Sequence, residues 1–439
     1  MGNVAVCSGN VFSCFETVCV VLFFIIGELY MKKDRISMEA SIFWNTAGSL
    51  VYMVTQWLIS IMVVRIAGVS VAGDLSLAMS VNNIFYSLAM FGIRNYQVTD
   101  VKGKYNNATY IINRVITCLG SAFLCTIYCA VIGYSSAQRG CILLYCAFKM
   151  AEAMYDVYAG ICQKAWRMDY IGKSWMLKGG VTFVVFGGVL YITDSLMYAI
   201  LAMAAVSFLI ILVYDIPITG KLENIRVIGM ENKSIQLMKE CFPLVCYQLL
   251  TTAIPTIPRI FMERMLGNYD LGIYSSVAAP TVIVQMGASY IFNPFMTMFA
   301  ELYMDKKKKE FWDTFRKCML AILGLSVVAL AGGKILGRWG LNLLYGSEVA
   351  EYVNLLLPII VCTMLTALVW FLGGLLTVVR DFKGLNLSNI PAVLISAAGS
   401  LVFMNIIDMQ GASLALILAL VVQVICMIGF LRKKVKGWD

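Results

Sequence analysis

The chain has no histidine. Histidine is the commonest general base and the commonest metal ligand. Its absence removes the usual starting points for a membrane enzyme, and neither catalytic residues nor a metal site is expected. The 14 cysteines include no Cys-x-x-Cys pair, which excludes a zinc ribbon or a dithiol redox centre. Most of them, such as Cys118, Cys125 and Cys129, lie inside apolar runs and read as buried free thiols. Proline is absent before Pro217, so the first half lacks the residue that most often kinks a helix. Charge is scarce as well, at 13% of 439 residues. Gly172-Lys173-Ser174 resembles the end of a phosphate loop, but position 167 is Arg where the loop needs Gly. No strand precedes it, so ATP binding is excluded and no cofactor is expected.

What is present is apolar bulk, 60% of the chain. One core cannot hide that much apolar surface from water. It falls into runs of about 20 residues, long enough to cross a hydrocarbon slab of roughly 30 Å. Inside lipid such runs must be helices. Twelve spans are expected, at 41–64, 75–93, 109–132, 141–163, 176–193 and 196–216, then 239–263, 272–295, 316–332, 353–378, 385–407 and 411–431. The fold class is thus an all-α polytopic membrane protein. Its expected parts are an N-lobe (38–216), a polar cytoplasmic linker (217–238), a C-lobe (239–431) and a basic tail (432–439). Residues 1–37 read as a dispensable extension with Met31 or Met38 as the true start, or as a thirteenth helix.

The two lobes share a pattern. Arg65-x-x-Gly68-x-x-x-x-Gly73 recurs as Arg264-x-x-Gly267-x-x-x-x-Gly272, displaced by 199 positions. Duplicated bundles of this kind build many transporters. The glycines suit a tight turn followed by close helix approach. The net charge is +9 and lies mainly in short loops: one alternate set carries 26 of the 34 Lys and Arg residues, the other only five. This asymmetry puts the C-terminus in the cytoplasm and makes a nucleic-acid partner unnecessary.

Ionisable residues at membrane depth mark cavities or buried partners. The fourth span carries Lys149, Glu152 and Asp156 on one face, with Tyr145 beside them and Gln163 two turns on. That stripe lines a wet cavity, or else Lys149 neutralises Glu152 and the stripe joins helices. The seventh span carries Arg259 after Pro255 and Pro258, with Glu263 one turn later. Its guanidinium suits an anionic group such as phosphate, unless it pairs with Glu263. Pro255 and Pro258 bend that helix, as a static kink or as a hinge, with Thr251, Thr252 and Thr256 nearby to satisfy freed carbonyls. Arg65 faces the external mouth. Arg114, near the cytoplasmic edge, is expected to snorkel.

Several stretches carry a family likeness. They are Trp44-Asn45-Thr46-Ala47-Gly48-Ser49, Val64-Arg65-Ile66-Ala67-Gly68, the segment Gly92 to Asp100 with the form Gly-x-Arg-x-Tyr-Gln-x-x-Asp, and Leu266-Gly267-Asn268-Tyr269 with Gly272-Ile273-Tyr274. Through these the chain resembles the polysaccharide-flippase branch of the multidrug/oligosaccharidyl-lipid/polysaccharide exporter superfamily, over about 38–431. The resemblance implies two pseudo-symmetric six-helix lobes around a central cavity, in the bacterial inner membrane. It implies a polyprenyl-diphosphate-linked oligosaccharide as cargo, moved by alternating access for surface polysaccharide synthesis, with membrane lipids and other polysaccharide-assembly proteins as partners. Arg259, Lys149 and Arg65 are the candidates for the diphosphate; Tyr145, Tyr155, Gln163, Tyr247 and Gln248 are those for sugars. Two rivals remain. A cation-coupled multidrug exporter would use Glu152 and Asp156 for Na+ or H+, whereas a membrane polymerase or transferase would need an external domain that no loop is long enough to supply.

Overall fold

The computed structural model describes residues 36–100, 103–222 and 231–436, all helices and turns. The extension expected before residue 36 and the middle of the expected linker lie outside the described residues. In chain order the helices are α1 (Met38–Ala67), α2 (Val69–Met90), α3 (Ile93–Thr99), α4 (Asn107–Ile132), α5 (Ser136–Lys164), α6 (Met168–Thr193) and α7 (Leu196–Ile210). A π-helical turn (Ile211–Asp215) leads into α8 (Ile216–Leu222). Then come α9 (Glu231–Met265), α10 (Asn268–Ala278), α11 (Val282–Phe292), α12 (Phe295–Met304), α13 (Lys308–Tyr345), α14 (Ser347–Ala350), α15 (Leu356–Val378), α16 (Phe382–Ile407) and α17 (Met409–Lys436).

Among the described residues, eleven helical stretches are long and apolar enough to cross a membrane. The protein is therefore a multi-pass membrane protein. The remaining expected span is α5, a continuous helix of 29 residues. Lys149, Glu152 and Asp156 near its middle keep it below the apolar threshold of the other eleven. Two expected boundaries change. The external loop expected near 333–352 is mostly helix, because α13 runs unbroken for 38 residues to Tyr345; its Gly332-Gly333 pair does not stop it. The linker narrows from both sides, since α8 reaches Leu222 and α9 begins at Glu231.

The chain divides into two compact units. Among the described residues, the first holds those up to Ala67 and those within Val81–Val245. Its tightest seam joins α1 to α6 through glycine. A Cβ at Gly48 would overlap the Gly172 carbonyl, and one at Gly172 would overlap the Trp44 carbonyl. That contact explains the Gly172-Lys173-Ser174 triplet as a helix crossing of small residues. The second unit holds Gly68–Ser80 and Cys246 onward, so the start of α2 packs with second-repeat helices. Its core gathers Phe292, Phe299, Phe311, Phe315 and Phe371, with the Phe315 and Phe371 rings stacked at 5.7 Å.

The repeated motif acts inside the second unit. Gly68 and Gly267 take positive φ, 89° and 101°, at the turns before α2 and α10. A Cβ at Gly73 would overlap the Asn268 carbonyl, and one at Gly272 would overlap the Val69 carbonyl. Just beyond, Ser76 hydrogen-bonds Ser275. Asn268 is Val69 displaced by 199, and Ser275 is Ser76 displaced by the same number. Counterpart positions meeting each other is the signature of a local twofold axis.

Candidate functional site

The charges of α5 are satisfied within the first unit. Asp156 is buried and held from both sides: Arg94 Nη1 reaches Oδ1 at 3.0 Å and Arg114 Nη2 reaches Oδ2 at 2.7 Å. Arg94 also donates to Gln163 Oε1 at 3.0 Å. Arg114 is fully buried and spends its other terminal nitrogen on the carbonyls of Ala89 and Met90, at 2.8 and 2.6 Å. It therefore does not snorkel. Its acid partner draws it inward, because an unpaired guanidinium at that depth would be prohibitive.

One turn along, Lys149 pairs with Glu152 at 2.5 Å, and Tyr52 of α1 donates to the same carboxylate. The Lys149 ammonium also lies 5.2 to 5.6 Å from the Tyr86, Tyr145 and Phe148 ring centroids. A second buried pair, Lys178 with Asp215 at 2.9 Å, sits beside it. Lys178 rests 3.3 Å from the Tyr155 ring centroid, and the Tyr155 hydroxyl donates to the Ile171 carbonyl at 2.9 Å. Asp215 closes the π-helical turn, a device that re-aims one side chain within a helix.

The Gly92–Asp100 stretch organises this network. Gly92 is left-handed (φ 66°) and lies so close to Leu244 that a Cβ would clash. Arg94 reaches Asp156, Tyr96 donates to Glu240, and Gln97 Nε2 donates to the Val157 carbonyl at 3.2 Å beside Gly160. Asp100 accepts from the backbone N–H groups of Lys104 (2.9 Å) and Tyr105 (3.0 Å) and from the Tyr110 hydroxyl (3.0 Å). Burial works to raise the Asp100 carboxyl, but these donors outweigh it and hold the group below its ordinary range. Lys104 is raised, chiefly by its hydrogen bond to Glu240 at 2.6 Å.

In the second unit Arg259 is different. It is half-buried, and among the described residues its guanidinium makes no hydrogen bond or ion pair, with Glu263 or any other side chain. The ionisable side chain near it is Tyr274, itself hydrogen-bonded to Ser413 at 3.1 Å. The proline pair is secured by a residue that the local pattern did not indicate. Pro258 removes the donor that a helix would supply to the Ile254 carbonyl. Ser396 of α16 donates to that carbonyl at 2.7 Å, in place of the nearby threonines. Asn389 adds a bond to Thr251 at 3.2 Å.

Of the expected site residues, the structure groups Lys149, Glu152, Asp156, Tyr145 and Gln163 on α5, with both acids and Tyr145 buried. Arg65 is exposed at the end of α1. Tyr247, Gln248 and Arg259 share α9; among the described residues the Gln248 side-chain oxygen is buried without a hydrogen-bond partner. Arg94, Arg114, Lys178, Asp215 and Tyr52 were missed as parts of one network. The available signals were an Arg inside a span for Arg114 and the motif itself for Arg94.

A polytopic helical membrane protein with a repeated unit and buried intramembrane charge is the class these observations define. Residues 39–302 match the family described as polysaccharide biosynthesis protein, and the chain belongs to that family. The capsular polysaccharide biosynthesis protein CapF of Staphylococcus aureus is 26% identical over 300 residues, covering 67% of this chain and 74% of that one. Among solved structures, the lipid II flippase MurJ in an inward closed conformation has a TM-score of 0.71 at 10% identity, with 90% of each chain covered. An inward-facing multidrug resistance transporter of the MATE family, in the MOP superfamily, has a TM-score of 0.69 at 10% identity over 91% of this chain and 98% of that one. These structural likenesses establish that the chain shares their fold.

Proposed function

We propose that this protein flips a polyprenyl-diphosphate-linked oligosaccharide across the bacterial inner membrane by alternating access, with its C-terminus in the cytoplasm. The observation that carries the reading is Arg259. Within the first unit Glu152, Asp156 and Asp215 are matched by internal cations; Arg259, half-buried on α9, makes no hydrogen bond or ion pair among the described residues. A half-buried guanidinium of that kind is suited to phosphate oxygens, which it grips two at a time. Tyr247 and Gln248, three turns earlier on α9, supply groups for sugar hydroxyls. The family match and the capsular relative support the cargo class. Internal pairing of Glu152 and Asp156 counts against their use as the Na+ or H+ sites of a cation-coupled exporter.

Arg259→Ala, introduced at the native locus, is expected to leave the protein inserted and stop polysaccharide export, with lipid-linked repeat units accumulating in the cell. Drug susceptibility is expected to stay unchanged. Normal polysaccharide output from that strain would overturn the reading.

A further inference from the structure

Three separate segments meet at one end of the second unit: the turn between α12 and α13, the start of α16 and the last turns of α17. They enclose a cleft of about 810 Å³. Lys306, Lys383, Lys433 and Lys434 line it, and all four are exposed. Among the described residues none of these four ammonium groups makes an ion pair, whereas neighbouring Lys307 pairs with Asp305 at 3.0 Å. Asp381 also lines the cleft, but its carboxylate accepts the Gly384 N–H at 3.0 Å as the N-cap of α16. The cleft is therefore strongly cationic.

Its walls are not wholly polar. Met304 is 79% exposed and Leu387 52% exposed at the same place, with Phe430 beside them. A soluble anion needs no apolar wall, whereas a phospholipid needs both. The lysines would hold its phosphate as flexible point charges, and the apolar side chains would cover the start of its acyl chains. Basic pockets at the ends of membrane helices recognise anionic headgroups in this way.

We propose that this cleft binds the phosphate headgroup of an anionic membrane phospholipid, at a site separate from Arg259 and independent of the transport reading. The test is a competition assay on the purified full-length protein in neutral detergent, with fluorescent phosphatidylglycerol as the probe. Unlabelled phosphatidylglycerol is expected to compete, while phosphatidylcholine and inorganic pyrophosphate do not. Lys383→Gln/Lys433→Gln/Lys434→Gln is expected to lose about 100-fold in affinity, roughly fivefold per lysine. Lys309→Gln/Lys317→Gln, outside the cleft, is expected to bind as the parent does. The substituted lysines are exposed, so the melting temperature should hold in both variants. Equal binding by the triple variant, or equal competition by phosphatidylcholine, would overturn the proposal. Pyrophosphate competing as well as phosphatidylglycerol would also overturn it and assign the cleft to a soluble phosphate compound.

Discussion

Asp156 holds two arginines of the first unit, and one of them has no water to fall back on. Removing one partner of a buried ion pair leaves an uncompensated charge, at a cost of about 3–5 kcal/mol. Asp156→Asn is therefore expected to lower the melting temperature sharply and reduce the amount of folded protein. Arg94→Gln should cost far less, since the Arg94 side chain is 29% exposed and water can screen the loss. Thermal unfolding in detergent separates the two, and similar effects from both would contradict the clamp. Asp100 makes a pH-dependent contribution. Its folded-state carboxyl lies below the ordinary value of 3.8, so its stabilisation is complete above that value and is lost as pH falls through the lower folded one. The melting-temperature gap between the parent and Asp100→Asn should accordingly stay constant from about pH 7 to about pH 5 and close only below about pH 4. At this scale the sequence was half readable. Charge inside an apolar run marked Lys149, Glu152, Asp156 and Arg259 as unusual. The local pair of Lys149 with Glu152 was one of the two readings of that stripe; the other partners were not marked, because Arg94 with Asp156 and Lys178 with Asp215 are tertiary pairs at separations no local pattern encodes.

Helices in this protein are positioned by small residues and by borrowed hydrogen bonds. Gly172→Ala puts a methyl against the Trp44 carbonyl, so α1 and α6 must separate. Overpacking of that kind costs about 1–3 kcal/mol or more. Gly188→Ala on the same helix meets nothing within 4 Å and should be neutral. Comparing their thermal stabilities tests the seam, and equal values would contradict it. Ser396→Ala leaves the Ile254 carbonyl without its donor, and Pro258→Ala restores a backbone N–H that competes for the same oxygen. If α9 hinges there during transport, Pro258→Ala should slow export while leaving folded yield unchanged. Full export from that variant would count against a hinge at Pro258. Apolar runs located the eleven candidate spans, to within a few residues at most ends. They failed for α13, where Lys334 and Arg338 suggested a loop but sit on a continuous helix, and they were blind to Ser396, which acts on a helix far away in sequence.

For the whole molecule, the repeat was the strongest signal in the chain, and the structure gives it a physical meaning: counterpart residues Ser76 and Ser275 touch. The partition of α2 was not readable from hydropathy, because the 199-residue displacement shows that two segments match without showing that they pack on each other. The excess of Lys and Arg in alternate loops predicts that a fluorescent protein fused after residue 439 will fluoresce. Alkaline phosphatase inserted near Tyr134, between α4 and α5, should be active outside the cytoplasm. The reverse pattern would invert the orientation. The most direct measurement is flipping by the purified protein in sealed proteoliposomes, with a polyprenyl-diphosphate-linked repeat unit read by its accessibility to an external glycosidase. The parent protein is expected to expose substrate that protein-free vesicles keep protected, and Arg259→Ala is expected to leave it protected. Exposure by Arg259→Ala at the parent's rate, or none by the parent, would contradict the assignment.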